Sequence, residues 1–367
     1  MALFAFEYPP SHTGGLGVHV AGLAAYLRSR GDVVDVFHVG ADAGTPAPHG
    51  VIALPALDPA LLHTGSIDVE TLPGVSLIRS RHQRAPYDAA HCHDWHGAPW
   101  AAWLWQHGVP LVTTCHLPAR TRFQYAGTAV PTVAPLLESL ALRLSTHVVA
   151  VSHFVAMEIE RHYRSFADKV CVVNNGTDTS LFDLPQSYVD SPRVLAVGRL
   201  TAQKGSLELV EIFAAVHRQV SGATLRIVGA GPDEEAVRSS VRSNGLTGVI
   251  TSLGFLGQSE LAQQYRQARV LAMPSVYEPF GLVAIEAMAS GVPVVACATG
   301  GLIEIITDGV DGVLVPPHDQ ASFATALVRL LSDPPLAREL GHRARQTVLA
   351  RFRNEQCFAR VRVLYED

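Results

Sequence analysis

The chain has 367 residues. That length suits two domains with separate cores, because single hydrophobic cores stop growing at roughly 250 to 300 residues. A composition of 48% hydrophobic and 17% charged residues is that of a folded globular protein and argues against a disordered chain. A net charge of −5 argues against a broad nucleic-acid-binding surface.

The cysteines and the apolar runs indicate where the protein works. Five cysteines form no C-x-x-C pair, so the sequence predicts neither a disulfide framework nor a zinc ribbon. No apolar run reaches the roughly 18 residues of a membrane span, and the N-terminus lacks the basic flank of a signal peptide. We therefore expect a cytoplasmic protein without a membrane span.

Apolar runs typical of strands alternate with amphipathic stretches along the whole chain. In the first half, the predicted strands are LFAFEY, DVVDVFHV, AAHCH, PLVTTCH and HVVAVS. In the second half, they are RVLAVGRL, ATLRIVGAG, VITSLGF, RVLAMPS, PVVACAT and GVLVPP. Strands that alternate with helices predict a parallel sheet covered by helices on both faces, here formed twice.

The boundary between the two halves is predicted in residues 174–193, which are rich in Asn, Pro, Asp and Ser and have no periodicity. We expect an N-terminal Rossmann-like domain over 1–180 and a C-terminal Rossmann-like domain over 187–345. A final helix over 346–367 is expected to pack back on the first domain. The fold class is α/β, with two doubly wound domains facing across a cleft that holds the ligand.

A glycine-rich turn follows the first predicted strand, with Gly14, Gly15 and Gly17 just before a helix. Glycine lets the backbone approach a ligand, and a helix N-terminus favours anions, so the turn is of a phosphate-binding type. Such turns also occur for packing reasons alone. The pattern is not G-x-G-x-x-G, and no acidic residue ends the second strand, which disfavours a dinucleotide-dependent oxidoreductase.

Two cations lie in VGRLTAQKG, the loop after the first strand of the second half. Arg199 can bind a phosphate bidentately and Lys204 supplies a point charge, so the pair suits a diphosphate leaving group. The alternative is two exposed surface cations, although Lys204 is one of only two lysines in the chain. Because no D-x-D pair is present to hold a metal, we expect a metal-independent reaction without a cofactor.

Two carboxylates frame the stretch EPFGLVAIE. Glu278 precedes the turn, and the amides of Phe280, Gly281 and Leu282 open a helix toward an anion or sugar hydroxyls. Glu286 lies among core-type residues, where a carboxylate needs a partner. That partner is either an internal group or a ligand, and we interpret Glu286 as a ligand for a ribose diol.

These motifs, together with GGLGVHV, HCHDWH, VNNGTDTSLF and VGAGPDEE, resemble those of the retaining GT-B glycosyltransferases that include bacterial glycogen synthases and sucrose synthases, the glycosyltransferase family 4-like enzymes. They cover nearly the whole chain in the expected order, and the resemblance implies that the first domain binds the acceptor and the second binds the donor. The resemblance implies that Glu278 contacts the donor sugar, that Glu286 contacts the ribose and that Arg199 and Lys204 neutralise the diphosphate. It also implies that His116 sits over the donor sugar.

The run HCHDWH, residues 91–96, crowds three histidines and an aspartate together. Alternation places His91 and His93 on one strand face, but no helical histidine pair or distant cysteine pair completes a tetrahedral set, so no metal site is predicted. Asp94 is the better candidate, as a carboxylate near the reacting sugar or acceptor hydroxyl. The chain departs from starch-synthase-type enzymes at Thr13, where those carry lysine, which weakens a polymer-synthase interpretation.

The predicted function is a retaining glycosyltransferase that moves a sugar from a nucleotide diphosphate-sugar, foremost a UDP-sugar, to a hydroxyl acceptor. The alternatives are a sugar-nucleotide epimerase, a glycoside phosphorylase or a non-enzymatic sugar-nucleotide sensor. Residues 118–135 contain aromatic and basic side chains where the family places acceptor contacts, but nothing there names an acceptor. No nucleic-acid partner is expected.

Overall fold

The computed structural model describes residues 1–9, 14–41, 48–58, 68–182 and 191–366. The chain divides into two compact units. The first unit comprises Met1–Asn175 with Asn354–Asp367, and the second comprises Gly176–Arg353. Thr13, at which the sequence departs from starch-synthase-type enzymes, lies outside the described residues.

These unit boundaries differ from the predicted ranges at both ends of the second unit. It begins at Gly176 rather than near residue 187, and it keeps 346–353, which the sequence assigned to a terminal helix running from 346 to 367. The physical reason is a break in the helix. The chain leaves helical geometry at Phe352, whose carbonyl accepts a hydrogen bond from the Thr177 amide at 2.8 Å, and a new helix begins at Asn354.

The first unit contains a parallel sheet of seven strands in its described part, in the order β3-β2-β1-β4-β5-β6-β7. Its strands are β1 (Ala2–Ala5), β2 (Asp35–Val39), β3 (Val51–Leu54), β4 (Ala90–His93), β5 (Leu111–Cys115), β6 (His147–Ala150) and β7 (Val170–Val172). Its helices are α1 (Gly15–Ser29), α2 (Val75–Arg84), α3 (Ala98–Gln106), α4 (Ala119–Tyr125), α5 (Val133–Leu144), α6 (His153–Tyr163) and α14 (Asn354–Val363).

The central strands of this sheet are buried on both faces. Strand β1 is apolar throughout, as parallel strands usually are, whereas β4 and β5 also bury the polar residues His91, His93, Thr113 and Thr114. Their side chains supply two clusters of the core, one of which includes Phe4, Trp100 and Trp103. The other includes Leu23 of α1 and Phe358 of α14, so the last helix packs within the first unit.

The second unit contains a parallel sheet of six strands in its described part, in the order β10-β9-β8-β11-β12-β13. Its strands are β8 (Arg193–Val197), β9 (Thr224–Val228), β10 (Ile250–Ser252), β11 (Val270–Met273), β12 (Val294–Cys297) and β13 (Val313–Val315). Its helices are α7 (Ser206–Gln219), α8 (Glu234–Ser243), α9 (Gln258–Arg266), α10 (Leu282–Ala289), α11 (Leu302–Ile305), α12 (Gln320–Ser332) and α13 (Pro334–Arg351).

Both units are therefore α/β with parallel sheets, and the predicted fold class is confirmed at this level. All six strands predicted in the second half are present, as are five in the first half. The strands β3 and β7, which lie at the two edges of the first sheet, were not predicted. Within the described residues, none of the helices combines the length and apolarity that crossing a membrane requires.

Candidate functional site

A pocket of the second unit lies where β8 and β11 end, at the carboxyl edge of the sheet. Parallel sheets bind ligands at this edge, because the loops and helix N-termini that follow the strands gather there. Three of the predicted site residues line the pocket together, namely Arg199, Lys204 and Glu278. The structure thus brings the two predicted cations and the first carboxylate of EPFGLVAIE to one place.

Lys204 and Glu278 form an ion pair inside this pocket, in which Nζ of Lys204 donates to Oε2 of Glu278. Glu278 is buried, with 8% of its surface exposed, and Lys204 is half-buried. Arg199, by contrast, is exposed and has no hydrogen bond or ion pair to the described residues. The pocket therefore offers one unneutralised guanidinium beside a cation that already has an acidic partner.

Backbone packing fixes the turn that carries Glu278. The carbonyl of Glu278 accepts a hydrogen bond from the Gly301 amide at 2.9 Å. A Cβ atom on Gly300, whose φ is +53°, would lie 1.9 Å from that same carbonyl oxygen, so no side chain fits there. The Gly300–Gly301 pair after β12 is thus a positioning element for Glu278, and the sequence analysis did not identify it.

The start of α10 presents the amides of the predicted anion-binding turn. Gly281 precedes the helix with φ +120°, and a Cβ there would come within 2.8 Å of Leu302, so the turn requires glycine. The first amides of a helix have no acceptor within the helix and favour negative charge. The Phe280 ring is buried and packs edge-on against Phe352, so only the backbone of Phe280 is available to a ligand.

The helix begins at Leu282, so the segment from Glu278 to Glu286 is only partly helical. A separation of about 12 Å between Glu278 and Glu286 would follow if all eight steps rose by about 1.5 Å each in a helix. Residues 278–281 are not helical, so the helical rise applies only from Leu282 onward. Glu286 does not line the pocket that contains Glu278.

Glu286 has an internal partner. The hydroxyl of Tyr265, on α9, donates to Oε2 of Glu286 at 2.9 Å, and Tyr265 is fully buried. Burial raises the pKa of Glu286 to about 7, while the Tyr265 hydrogen bond lowers it. The carboxylate is half-buried, and its Oε1 atom has no partner within the described chain. One oxygen is thus held by the protein, and the other is left for a ligand.

The glycine turn of the first unit is occupied by a carboxylate of the protein itself. Oε2 of Glu7 accepts a hydrogen bond from the Gly14 amide at 2.9 Å, just before α1. Gly15 opens α1 and is exposed, whereas Gly17 is buried on its inner face. The predicted phosphate-type turn therefore already binds an anion, namely the Glu7 side chain, which the sequence analysis did not identify.

Asp94 is buried and bonded through both carboxylate oxygens. Oδ1 accepts from the His116 amide at 2.8 Å, and Oδ2 accepts from Nη2 of Arg122 on α4 at 2.7 Å. Its backbone has φ +57°, an uncommon conformation for a residue other than glycine. These contacts tie the ends of β4 and β5 to α4, so the geometry favours a positioning role for Asp94.

His116 lies next to His93 rather than alone. Nε2 of His116 and Nδ1 of His93 are 3.3 Å apart. Burial, and then the charge of Arg122, lowers the pKa of His116 to about 3, so the imidazole is neutral near pH 7. The sequence pattern connected neither His116 nor a further histidine outside HCHDWH with His93. The structure places one there, His19 on α1, which sequence spacing did not reveal because it comes from a distant helix.

Comparison with known proteins identifies the family. Residues 177–347 match the family described as glycosyl transferases group 1, and residues 13–181 match glycosyltransferase family 4. An uncharacterised glycosyltransferase of Methanocaldococcus jannaschii is 32% identical, over 91% of this chain and 89% of the relative. A glycogen synthase of Mycobacterium tuberculosis is 30% identical over 95% and 90%, and an alpha-maltose-1-phosphate synthase of Mycolicibacterium smegmatis is 32% identical over 96% and 95%.

Solved structures agree on the fold. The sucrose-phosphate synthase of Thermosynechococcus elongatus superposes with a TM-score of 0.84 at 29% identity, over 100% of this chain and 98% of that one. HepE of Anabaena, solved in complex with UDP-glucose, superposes with a TM-score of 0.79 at 21% identity, over 99% of each chain. The protein therefore has the GT-B fold and is a glycosyltransferase that belongs to glycosyltransferase family 4, the group 1 glycosyl transferases.

Proposed function

We propose that this enzyme transfers a hexose from a nucleotide diphosphate-sugar to a hydroxyl acceptor, with retention of configuration and without a metal ion. The observation that carries the proposal is the pocket of the second unit, in which exposed Arg199 lies beside the Lys204–Glu278 ion pair. A diphosphate needs two cations, and a sugar hydroxyl needs an acceptor. Arg199 and Lys204 supply the cations, and Glu278 supplies the acceptor.

Each group has a distinct role in this proposal. Arg199 and Lys204 stabilise the charge that grows on the leaving diphosphate, which is the work a metal does in other enzymes. Glu278 accepts hydrogen bonds from the donor sugar, and the amides at the start of α10 bind negative charge. Glu286 accepts the ribose hydroxyls through the oxygen that Tyr265 leaves free. The roles of Asp94 and His116 toward the sugar, and of Gly15 and Gly17 toward the donor, stay predictions that rest on the sequence.

A UDP-sugar is the first donor to test, since HepE of Anabaena, a protein of the same fold, is solved with UDP-glucose. The acceptor is open between a saccharide chain and a small phosphorylated molecule. Two of the similar enzymes named above carry a phosphate in the name of their product, and one is a glycogen synthase. Arg120 is exposed on α4 and has no hydrogen bond or ion pair in the described chain. Its positive charge favours a phosphorylated acceptor, which the experiment therefore includes beside a saccharide chain.

The deciding experiment is a thermal-shift panel of UDP-, ADP- and GDP-glucose with the purified enzyme. A ligand at about 100 times its dissociation constant stabilises the native state by about 2.7 kcal/mol. The donor so found is then assayed with glucose 1-phosphate, fructose 6-phosphate and maltodextrin, and the anomeric configuration of the product is read by NMR. We expect the α-configured donor to give an α-linked product.

Three outcomes contradict the proposal. Activity that requires inorganic phosphate and no nucleotide indicates a phosphorylase. Conversion of the sugar nucleotide without an acceptor product indicates an epimerase, and binding without turnover across all acceptors indicates a sensor.

A chelator tests the absence of a metal. Excess EDTA should leave transfer largely intact; loss of activity that magnesium or manganese restores would show that the metal-free mechanism is wrong.

A further inference from the structure

Three histidines of the first unit bring one ring nitrogen each to within 4.8 Å of one another. They are His19 on α1, His93 at the end of β4 and His116 just after β5. His19 and His93 are buried, and His116 is half-buried, so the group has a side open to solvent. Three elements distant in sequence thus converge on one point.

The hydrogen bonding of this cluster is incomplete. Within the part of the chain that the structure describes, neither ring nitrogen of His19 has a hydrogen-bond partner, nor has Nε2 of His93. The neighbouring His91 shows the usual arrangement: its ring nitrogens contact the Thr114 hydroxyl at 2.8 Å and the Tyr365 hydroxyl at 2.7 Å. Because buried polar groups are normally satisfied, the two free nitrogens of His19 indicate a ligand that completes them. His93 Nδ1 and His116 Nε2 share a hydrogen bond, and an ion bound between them would replace the shared proton.

The distances suit a transition-metal ion. Zinc bound tetrahedrally at about 2.0 to 2.1 Å from each nitrogen places those nitrogens about 3.4 Å apart. His93 Nδ1 and His116 Nε2 are already 3.3 Å apart. Because all three nitrogens lie within 4.8 Å of one another, no separation has to close by more than about 1.4 Å, a change that small rotations of the imidazole rings supply.

The chemistry of the three imidazoles limits which metal ions the site can bind. Imidazole nitrogens suit Zn²⁺, Co²⁺, Ni²⁺ and Cu²⁺, whereas Mg²⁺ and Ca²⁺ prefer oxygen. Burial lowers the pKa of all three histidines, so at pH 7 they are neutral, the form that binds metal. His91 stacks on His93 with ring centroids 4.3 Å apart and holds that ring in place.

We infer that His19, His93 and His116 form a three-imidazole site for Zn²⁺ or a similar transition-metal ion, with the fourth position left to water. A bound ion immobilises His116, the histidine that the family resemblance assigns to the donor sugar. The ion is therefore an inhibitor and not a cofactor. This second statement rests on the proposed function, whereas the binding site does not.

The test is calorimetric titration of chelator-treated protein with ZnCl₂. We expect one ion per chain for the wild type and no binding of Mg²⁺. His19→Gln should lower the zinc affinity by at least about 100-fold, because it removes a ligand rather than an outer group. The matched control is His38→Gln, which removes a buried imidazole of the same unit whose ring nitrogen contacts the Phe6 carbonyl, outside the cluster. It should leave zinc binding unchanged.

Cobalt substitution keeps the test decisive if His19→Gln does not fold. Wild-type protein loaded with CoCl₂ should show the visible absorption of four-coordinate cobalt. Equal zinc affinity in the wild type and His19→Gln, or no cobalt spectrum in the wild type, overturns the site. Zinc should also lower turnover in the wild type but not in His19→Gln. If zinc binds but does not lower turnover, the site stands and the inhibition is wrong. If the wild type turns over no donor, the proposed function is wrong, and calorimetry still tests the zinc site.

Discussion

Lys204 donates a hydrogen bond from Nζ to Oε2 of Glu278, and the two residues lie 74 positions apart in the sequence. The pair joins the loop after β8 to the turn before α10. Since Glu278 is buried, its charge is compensated by the same cation that the proposed function assigns to the diphosphate. A donor must therefore share Lys204 with Glu278, which couples sugar recognition to diphosphate recognition.

Replacing Glu278 by glutamine tests this coupling. Glu278→Gln releases Lys204, so we expect the affinity for bare UDP to be unchanged or higher. The affinity for UDP-glucose should fall by about 1.5 to 3 kcal/mol relative to UDP, the size of a hydrogen bond to a charged group. Calorimetry with both ligands measures the difference. Glu211→Gln, an exposed acid of α7, is the control, and equal losses for UDP and UDP-glucose would contradict the assigned role.

Arg199 is exposed and unpaired within the described chain, so its removal should not affect folding. We expect Arg199→Ala to keep the wild-type melting temperature and to lose roughly 10²-fold in turnover, as enzymes do when a donor that stabilises transition-state charge is removed. Steady-state kinetics measures the loss. Arg218→Ala removes an exposed cation of α7 and should leave turnover normal. Near-normal turnover in Arg199→Ala would show that it does not meet the diphosphate.

Lys204 should behave differently from Arg199, because its removal leaves Glu278 buried without its cation. We expect Lys204→Met to lower the free energy of unfolding by roughly 1 to 3 kcal/mol in addition to lowering turnover. The double variant Lys204→Met, Glu278→Gln should recover most of the stability and none of the activity. Urea denaturation of the single and double variants measures the coupling. Additive stability losses would mean that the ion pair contributes nothing.

Donor affinity should depend on pH through Glu286. Burial raises its pKa to about 7, from the ordinary carboxyl value of 4.5. Because the folded pKa is the higher one, ionisation of Glu286 destabilises the fold as pH rises from 4.5 through 7, so Glu286→Gln should not lower the melting temperature at pH 8. Ribose hydroxyls donate to the ionised carboxylate, so affinity for UDP-glucose should rise through pH 7.

Calorimetry of UDP-glucose between pH 6 and 8 measures this dependence. UDP-glucose is the better probe because its phosphates, unlike the terminal phosphate of UDP with a pKa of about 6, do not titrate in that range. The rise should be absent in Glu286→Gln, which should bind more weakly at pH 8. The same pH profile in both proteins would show that Glu286 does not contact the ribose.

The first unit should be the acid-labile one. Burial lowers the pKa of eight of its histidines. The lowering is large for five of them: the pKa falls to about 4 for His96, to about 3 for His116 and well below 6.5 for His19, His91 and His93. Because the pKa of each of these histidines is lower in the folded than in the unfolded protein, the unit has its full stability above pH 6.5 and loses it as pH falls. For each such histidine, the free energy of unfolding falls by up to about 1.4 kcal/mol per pH unit below 6.5.

Tryptophan fluorescence reports on this unit alone, because all four tryptophans, Trp95, Trp100, Trp103 and Trp105, lie in it. We expect the fluorescence transition to occur at a higher pH than the loss of the remaining helical circular dichroism. Coincident transitions in both signals would mean that the histidines do not set the acid stability.

The sequence alone determined the α/β architecture and identified three residues that line the pocket of the second unit. Parallel strands buried on both faces are apolar runs, and the period of each run is a local property, so the strands of the second sheet were predicted correctly. Arg199, Lys204 and Glu278 were picked out by residue type in the loops that follow predicted strands, and the structure brings the three to one pocket. The edge strands β3 and β7 were missed. Both are less buried than the central strands β1, β4 and β5, so the core sets fewer of their side chains.

Only the tertiary structure decided which groups meet. Glu286 contacts Tyr265, 21 residues away, and Asp94 contacts Arg122, 28 residues away. His19 joins the HCHDWH histidines from a helix far upstream. A hydrogen bond depends on where two side chains end in space. Periodicity places a residue on a face of its own element but says nothing about which distant element packs against that face.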